Sequence, residues 1–239
     1  DKRAKAVMPQ LVHYPRIDVA GEDALIIYMD KVANSATINK ITQLKNNIAN
    51  TLGDCVVELV PSYASLLVIF DPLKTDYFAV KKVLRTLLTA NTSEVASSQK
   101  IIELPVYYSP ESGPDLKTLA TSAGLSIEDV INIHQQSIYQ VFAIGFAPGF
   151  AFLGDVDERI ACARLTSPRA KVPKGSVGIA DRQTAIYPNE SPGGWNLIGL
   201  CPQTLFNPKV PPYLTYQVGD SVKFKAITLA EFLELGGQL

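Results

Sequence analysis

The residues with most chemical capacity gather in the second half of the chain. Between Glu158 and Asp181 there are five cations, Arg159, Arg164, Arg169, Lys171 and Lys174, and no acidic residue. Arg169 can grip a carboxylate through two parallel hydrogen bonds, and Lys174 can add a compact point charge, so the run suits a small anion. A solvated loop is the competing reading of the same residues. Beyond it lie Gln183-Thr-Ala-Ile-Tyr-Pro188 and Ser191-Pro-Gly-Gly-Trp195. Gln183, Tyr187 and Ser191 supply donors and acceptors there, the Gly-Gly pair leaves amides uncovered, and Trp195 can wall a pocket. The same segment is equally a tight turn before a strand. Upstream, Gly145-Phe-Ala-Pro-Gly-Phe-Ala-Phe-Leu-Gly154 offers Phe146, Phe150 and Phe152 either as a ligand wall or as a buried corner. Glu111 and His134 are the proton-transfer candidates, since a carboxylate or an imidazole can act as a general base. Asp115 nearby reads as a helix-start residue, and His134 also suits a helix end.

Other chemistries are excluded by what the sequence lacks. There is no G-x-x-x-x-G-K-[ST], and Lys174-Gly175-Ser176 has the wrong order for a phosphate loop. G-x-G-x-x-G, G-x-S-x-G and H-E-x-x-H are also missing, which argues against a self-sufficient kinase or serine hydrolase. With two histidines (His13 and His134) and three scattered cysteines (Cys55, Cys162 and Cys201), no metal site or disulfide framework is expected. The cysteines fit reduced thiols in a cytoplasmic protein. Basic and acidic residues number 22 and 23, giving a net charge of −1, so neither nucleic acid nor an anionic membrane is an expected partner. No apolar run is long enough to span a bilayer. No basic-then-apolar leader opens the chain, and its first residue is not Met, as expected of a trimmed chain.

The elements that must position these residues divide the 239-residue chain in two. Four of the 16 prolines precede residue 100 and 12 follow it, which marks two kinds of structure. Residues 1–95 read as an α+β domain. A short strand over 16–19 and an apolar one over 24–30 precede a helix capped at Asn34 or Ser35. Its inner face is Ile38, Ile41, Leu44, Ile48 and Leu52, at spacings of three and four. Strands over 55–60 and 65–70 follow, then a helix over 75–90 whose inward set is Phe78, Val80, Val83, Leu84, Leu87 and Leu88. That order suggests a split βαβ, ferredoxin-like arrangement. The polar stretch 91–100 is the expected boundary. Residues 96–239 begin with a strand broken by Pro105 and two helices, the second capped by Ser126. Short strands over 139–142, 176–179, 184–187, 195–200 and 221–226, separated by Pro/Gly turns, then predict a β-barrel or sandwich, closed by a short helix over 228–235.

Several of these segments carry a resemblance when taken together. Gly145-Phe-Ala-Pro-Gly-Phe150, Leu153-Gly154, Pro168-Arg169-Ala-Lys-Val-Pro173, Gly175-Ser-Val177, Thr184-Ala-Ile-Tyr-Pro188, Ser191-Pro-Gly-Gly-Trp195 and Ile198-Gly199 are similar to the allophanate hydrolase subunit 1 family. That family also includes the 5-oxoprolinase component PxpB and the sporulation-kinase inhibitor KipI. Gly113-Pro-Asp-Leu116 and His134 match it too. Lys171 stands where arginine is frequent in the family, and Ala147 where threonine is. The resemblance implies an N-terminal α+β domain followed by a cyclophilin-like β-barrel. It further implies the B component of an ATP-dependent 5-oxoprolinase, which hydrolyses 5-oxoproline to glutamate with a homologous subunit 2 (PxpC-like) and a PxpA-like subunit. On that reading ATP is used by the complex, with no site identifiable in this chain, and the chain is inactive alone. Arg169 and Lys174 would meet the substrate carboxylate or a phosphate, Tyr187, Ser191, Trp195 and Gln183 would shape the pocket, and Glu111 and His134 would move protons. A KipI-like inhibitor of a histidine kinase, or an allophanate hydrolase or carboxyltransferase-type subunit, are the alternatives within the family.

Overall fold

The computed structural model describes residues 13–90 and 101–239. The chain forms two compact units, 1–92 and 93–239; the expected boundary at residue 95 lies outside the described residues.

In the first unit β1 (Arg16–Val19) and β2 (Ala24–Tyr28) precede α1 (Ser35–Leu52). The Asn34 side chain accepts from the Thr37 amide, closing the first turn, and α1 buries Thr37, Ile38, Ile41, Leu44 and Ile48. β3 (Val56–Ser62) and β4 (Ser65–Phe70) form a hairpin through Tyr63 and Ala64, a tighter turn than the four-residue connection expected. α2 (Tyr77–Thr89) closes the unit, capped by Asp76. Within this unit the sheet order is β1-β2-β4-β3 with antiparallel neighbours, so β2 and β3 run parallel on either side of β4. Leu25 and Ile27 of β2 join Leu66, Val68 and Phe70 of β4 in one core with both helices.

One expectation for α2 is corrected. Phe78 is 79% exposed, whereas its neighbour Tyr77 packs against the core. Adjacent helical residues lie about 100° apart, so Tyr77, Val80, Leu84 and Leu87 share a stripe from which Phe78 is turned away.

The second unit begins with β5 (Ile101–Val106), α3 (Leu116–Ala123) and α4 (Ile127–Gln136). Gly124 stops α3 in the left-handed conformation at φ 67°, and Ser126 with Asp129 forms a reciprocal cap for α4. Then come β6 (Ile138–Ile144), β7 (Ala151–Gly154), β8 (Arg169–Val172), β9 (Ser176–Ala180), β10 (Gln183–Ile186), β11 (Ser191–Gly193), β12 (Asn196–Leu200), β13 (Ser221–Ala226) and α5 (Leu229–Glu234). Among them β7, β8 and β11 have no counterpart among the expected strands. β7 and β11 are only four and three residues long with glycine or proline in each, and β8 is a four-residue stretch with two charges, too short for its alternation to stand out.

Hydrogen bonding follows the path β5-β13-β6-β7-β10-β9-β12, parallel only between β5 and β13. Two bonds between Tyr107 and Leu200, at 2.8 and 2.9 Å, then link β12 back to the residue after β5. Side chains of β6, β9, β10, β12 and β13 fill the inside with α3 and α4. β9 is buried along its whole length, because its other face is covered as well. That cover is a second cluster of Phe150, Val172, Ala180, Ala185, Tyr187, Trp195 and Leu197, roofed by the two-stranded β8–β11 ribbon. Among the described residues no helix is long and apolar enough to cross a membrane.

Candidate functional site

The outer cluster encloses the most chemically suggestive space in the second unit, a cavity of about 200 Å³. Phe146, Phe150 and Phe152 enter from the β6–β7 connection and β7, Tyr187 from the end of β10, and Pro192 to Trp195 from β11 and the turn beyond it; Arg164 stands at the side. Phe150 is the hub: its ring meets those of Phe146, Phe152, Tyr187 and Trp195 edge-on, at centroid distances of 5.2, 4.9, 5.3 and 5.7 Å. Edge-to-face contacts fix ring orientation and hold the walls apart without collapse. Gly193 completes the wall by having no side chain, since a β-carbon there would collide with the Tyr187 hydroxyl.

Two guanidinium groups flank this box in different ways. Arg164 lies over the Trp195 ring, 6.0 Å from its centroid. Arg169 instead donates to Asp115 at 2.7 Å, and the other Asp115 oxygen accepts the Leu197 amide at 2.7 Å. Asp115 is therefore the anchor that ties β8 and β12 to the start of α3. The Arg169 Nη1 atom is buried with no hydrogen-bond partner, and Arg169 sits opposite Gly193 in the ribbon register. Burial pushes the Tyr187 phenol up, against the opposing pull of the Trp195 backbone and of Arg164 and Arg169, so it remains a hydrogen-bond donor at neutral pH.

His134 is in a different environment. It is completely buried on α4 and stacks on Phe224 at 4.6 Å. Thr184 donates its hydroxyl hydrogen to the Gly178 carbonyl at 2.9 Å, so it must accept from Nε2–H of His134, also at 2.9 Å. Nδ1 is then the acceptor for the Tyr108 hydroxyl at 2.7 Å. Burial pushes the imidazole down to about 3, which keeps it neutral. Both nitrogens of His134 are thus engaged inside the core, away from the cavity lining, an arrangement that suits a structural histidine. Burial likewise pushes the Cys162 and Cys201 thiols up, to about 11 and about 12, so neither is a thiolate at neutral pH.

The structure thus brings Tyr187 and Trp195 together at the cavity, with Arg169 in the ribbon opposite Gly193 but outside the cavity lining. It does not bring the remaining candidates there. Glu111 is exposed on the turn before α3, and Lys174 is exposed on the turn between β8 and β9. Gln183 begins β10 beside Gly154 and Ala180, and Ser191 pairs with Val172; neither lines the cavity. Arg164 is the lining residue that has no distinct role in the sequence pattern, because its position among five cations carries no sign of the indole it lies over. Among the described residues no cluster of His, Cys, Asp and Glu could hold a metal ion. In the first unit a cavity of about 230 Å³ lies on the outer face of α2 between Phe78, Lys81, Lys82, Arg85 and Thr86, most of them exposed side chains.

Comparison with known proteins supplies the family. Residues 15–215 match the model of the carboxyltransferase domain, subdomain C and D. The chain is 35% identical over 227 residues to the B subunit of 5-oxoprolinase from Bacillus subtilis (strain 168), covering 91% of this chain and 95% of that protein. It is 42% identical over 153 residues to the B subunit of 5-oxoprolinase from Haemophilus influenzae, covering 63% of this chain and 72% of that one. Among solved structures, TTHA0988 superposes with a TM-score of 0.75 at 30% identity; 86% of this chain is matched, but only 40% of TTHA0988. Whole-length likeness to these 5-oxoprolinase subunits and the family match over most of the sequence place this chain in the carboxyltransferase domain C and D family.

Proposed function

We propose that the chain is the B subunit of a cytoplasmic, ATP-dependent 5-oxoprolinase, which hydrolyses the lactam of 5-oxoproline to glutamate in company with a PxpC-like homologous subunit and a PxpA-like subunit. The observation that carries this is the match along 91% of the chain to a protein named as the B subunit of 5-oxoprolinase, 95% of which it covers. On this reading the N-terminal unit is a ferredoxin-like sandwich with β1 at the edge beside β2. The C-terminal unit is a cyclophilin-like barrel, supported by the Tyr107–Leu200 bonds at its seam. That likeness is architectural and carries no isomerase activity with it.

The chain's own residues suit part of such a reaction. The cavity walls are aromatic rings, a Gly-Gly backbone and one guanidinium, with no acidic side chain among them. They fit a small ring with an anionic group. They do not fit a nucleoside triphosphate, which asks for a cradle of backbone amides at a helix start or several cations. Opening a lactam needs activation of an unreactive amide carbonyl, and on this reading the ATP-dependent part of that work falls to the partner subunits. This chain holds the ring, and it is inactive without them. The test is reconstitution: purified chain plus the two partners should give 5-oxoproline-dependent ATP hydrolysis and glutamate. Unchanged activity on omission of this chain would falsify the proposal.

A further inference from the structure

We propose that Arg164, which lies over the Trp195 ring, is the carboxylate-reading residue of the aromatic cavity, and that the cavity takes a small ring-bearing carboxylate. The identification of that ligand as 5-oxoproline rests on the functional reading above.

Five cations crowd the segment from Arg159 to Lys174, and their surroundings separate them. Arg159 is bound to Asp157 at 2.8 Å, Arg169 to Asp115 at 2.7 Å and Lys171 to Glu190 at 3.4 Å. Arg164 and Lys174 have no ion pair among the described residues, and of these two only Arg164 lines the cavity. Its guanidinium lies 6.0 Å from the Trp195 ring centroid, a distance at which the indole face attracts it. A cation–π contact uses none of the guanidinium N–H groups as hydrogen-bond donors, and a planar fork of such donors matches a carboxylate. An aromatic box alone would suit a cation equally well. Here the rim charge is positive and the walls hold no acid, so an anion is favoured and a cation repelled. The ring of the ligand then meets Phe150, Phe152 and Tyr187, while the exposed Phe146 covers one side. Arg169 is a positioning residue in this scheme: its charge is met by Asp115, and it holds the β8–β11 ribbon that carries Gly193.

The cavity contains its own reporter, because Trp195 is the only tryptophan. Its fluorescence should change saturably when the full chain is titrated with 5-oxoproline, and with pyrrole-2-carboxylate as a ring carboxylate unrelated to the lactam reaction. The uncharged amide of 5-oxoproline, 2-pyrrolidinone and tetramethylammonium should bind about 10- to 100-fold more weakly, the ratio expected from losing a charge-assisted hydrogen bond. Arg164→Gln should abolish that preference without lowering the melting temperature, and Arg164→Lys should restore part of it. In the reconstituted complex, Arg164→Gln should raise KM for 5-oxoproline by a similar factor and leave kcat within about twofold. Equal binding of the acid and the amide by the wild-type chain overturns the inference. So does a KM untouched by Arg164→Gln in an active complex, or the absence of any saturable response to either carboxylate. A wild-type complex without 5-oxoproline-dependent activity defeats the functional reading instead. Selectivity for pyrrole-2-carboxylate over neutral rings would survive that result.

Discussion

Replacing His134 by Gln tests the buried histidine by its effect on stability against pH. In the folded chain burial pushes the imidazole from 6.5 down to about 3. The unfolded chain therefore takes up a proton below about pH 6.5 while the folded one does not, and stability falls as pH drops from there toward 3, by about 1.4 kcal/mol per pH unit once well below 6.5. Between about pH 7.5 and pH 5 this one group accounts for a loss of about 2 kcal/mol. Gln cannot be protonated, so His134→Gln should lack that component. At neutral pH it should be less stable by about 1–3 kcal/mol, because the Tyr108 hydroxyl loses its acceptor at Nδ1. Urea unfolding of both proteins across this range measures the difference directly, with the carboxylates common to both cancelling. Nitrogen-15 spectra of the imidazoles add a second readout, since the chain has only two histidines. The resonance missing from the variant should show the Nε2–H tautomer and stay unchanged down to about pH 5. Parallel stability curves, or a His134 ring that titrates near 6.5 in the native protein, would refute the buried network and reopen a role in proton transfer.

Three further outcomes follow from the same geometry. Asp115→Asn leaves the Arg169 guanidinium, only 29% exposed, without its counter-charge and should cost about 3 kcal/mol of unfolding free energy. A double-mutant cycle with Arg169→Gln that gives less than about 0.5 kcal/mol of coupling would show that the pair is not the anchor. Gly193→Ala drives a methyl group into the Tyr187 hydroxyl and should destabilise by about 1–3 kcal/mol with a shifted Trp195 emission; a variant matching wild type in both places Gly193 elsewhere. Phe146 is 67% exposed and held at φ 73°, where a side chain is strained, so Phe146→Gly should gain about 1 kcal/mol in thermal unfolding while weakening pyrrole-2-carboxylate binding. Loss of stability in that variant would mean its contact with Phe150 outweighs the strain.

Elements whose causes are local are legible in the sequence, and those whose causes are distant are not. α1 announces itself through Asn34 and four aliphatic residues at helical spacing, and Ser126 and Thr228 mark helix starts by accepting amides three residues on. Phe78 defeats the pattern because the adjacent aromatics Tyr77 and Phe78 both fit a helix face, and only the packed sheet decides which turns inward. The β8–β11 ribbon is invisible along the chain, since two strands of three and four residues gain their pairing from the cluster they cover. Tyr187 and Trp195 are legible as pocket residues from their size and the glycines around them. The ranking of the cations is not. Asp115 lies 54 residues before Arg169, and its ion pair turns the most attractive carboxylate-binding residue of the sequence into a fixed strut. A charge is available to a ligand only when the fold has not already matched it, and spacing along the chain carries no record of that matching. Arg164 is available for the same reason: no described acid meets it, and the surface it rests on is the wall of the cavity.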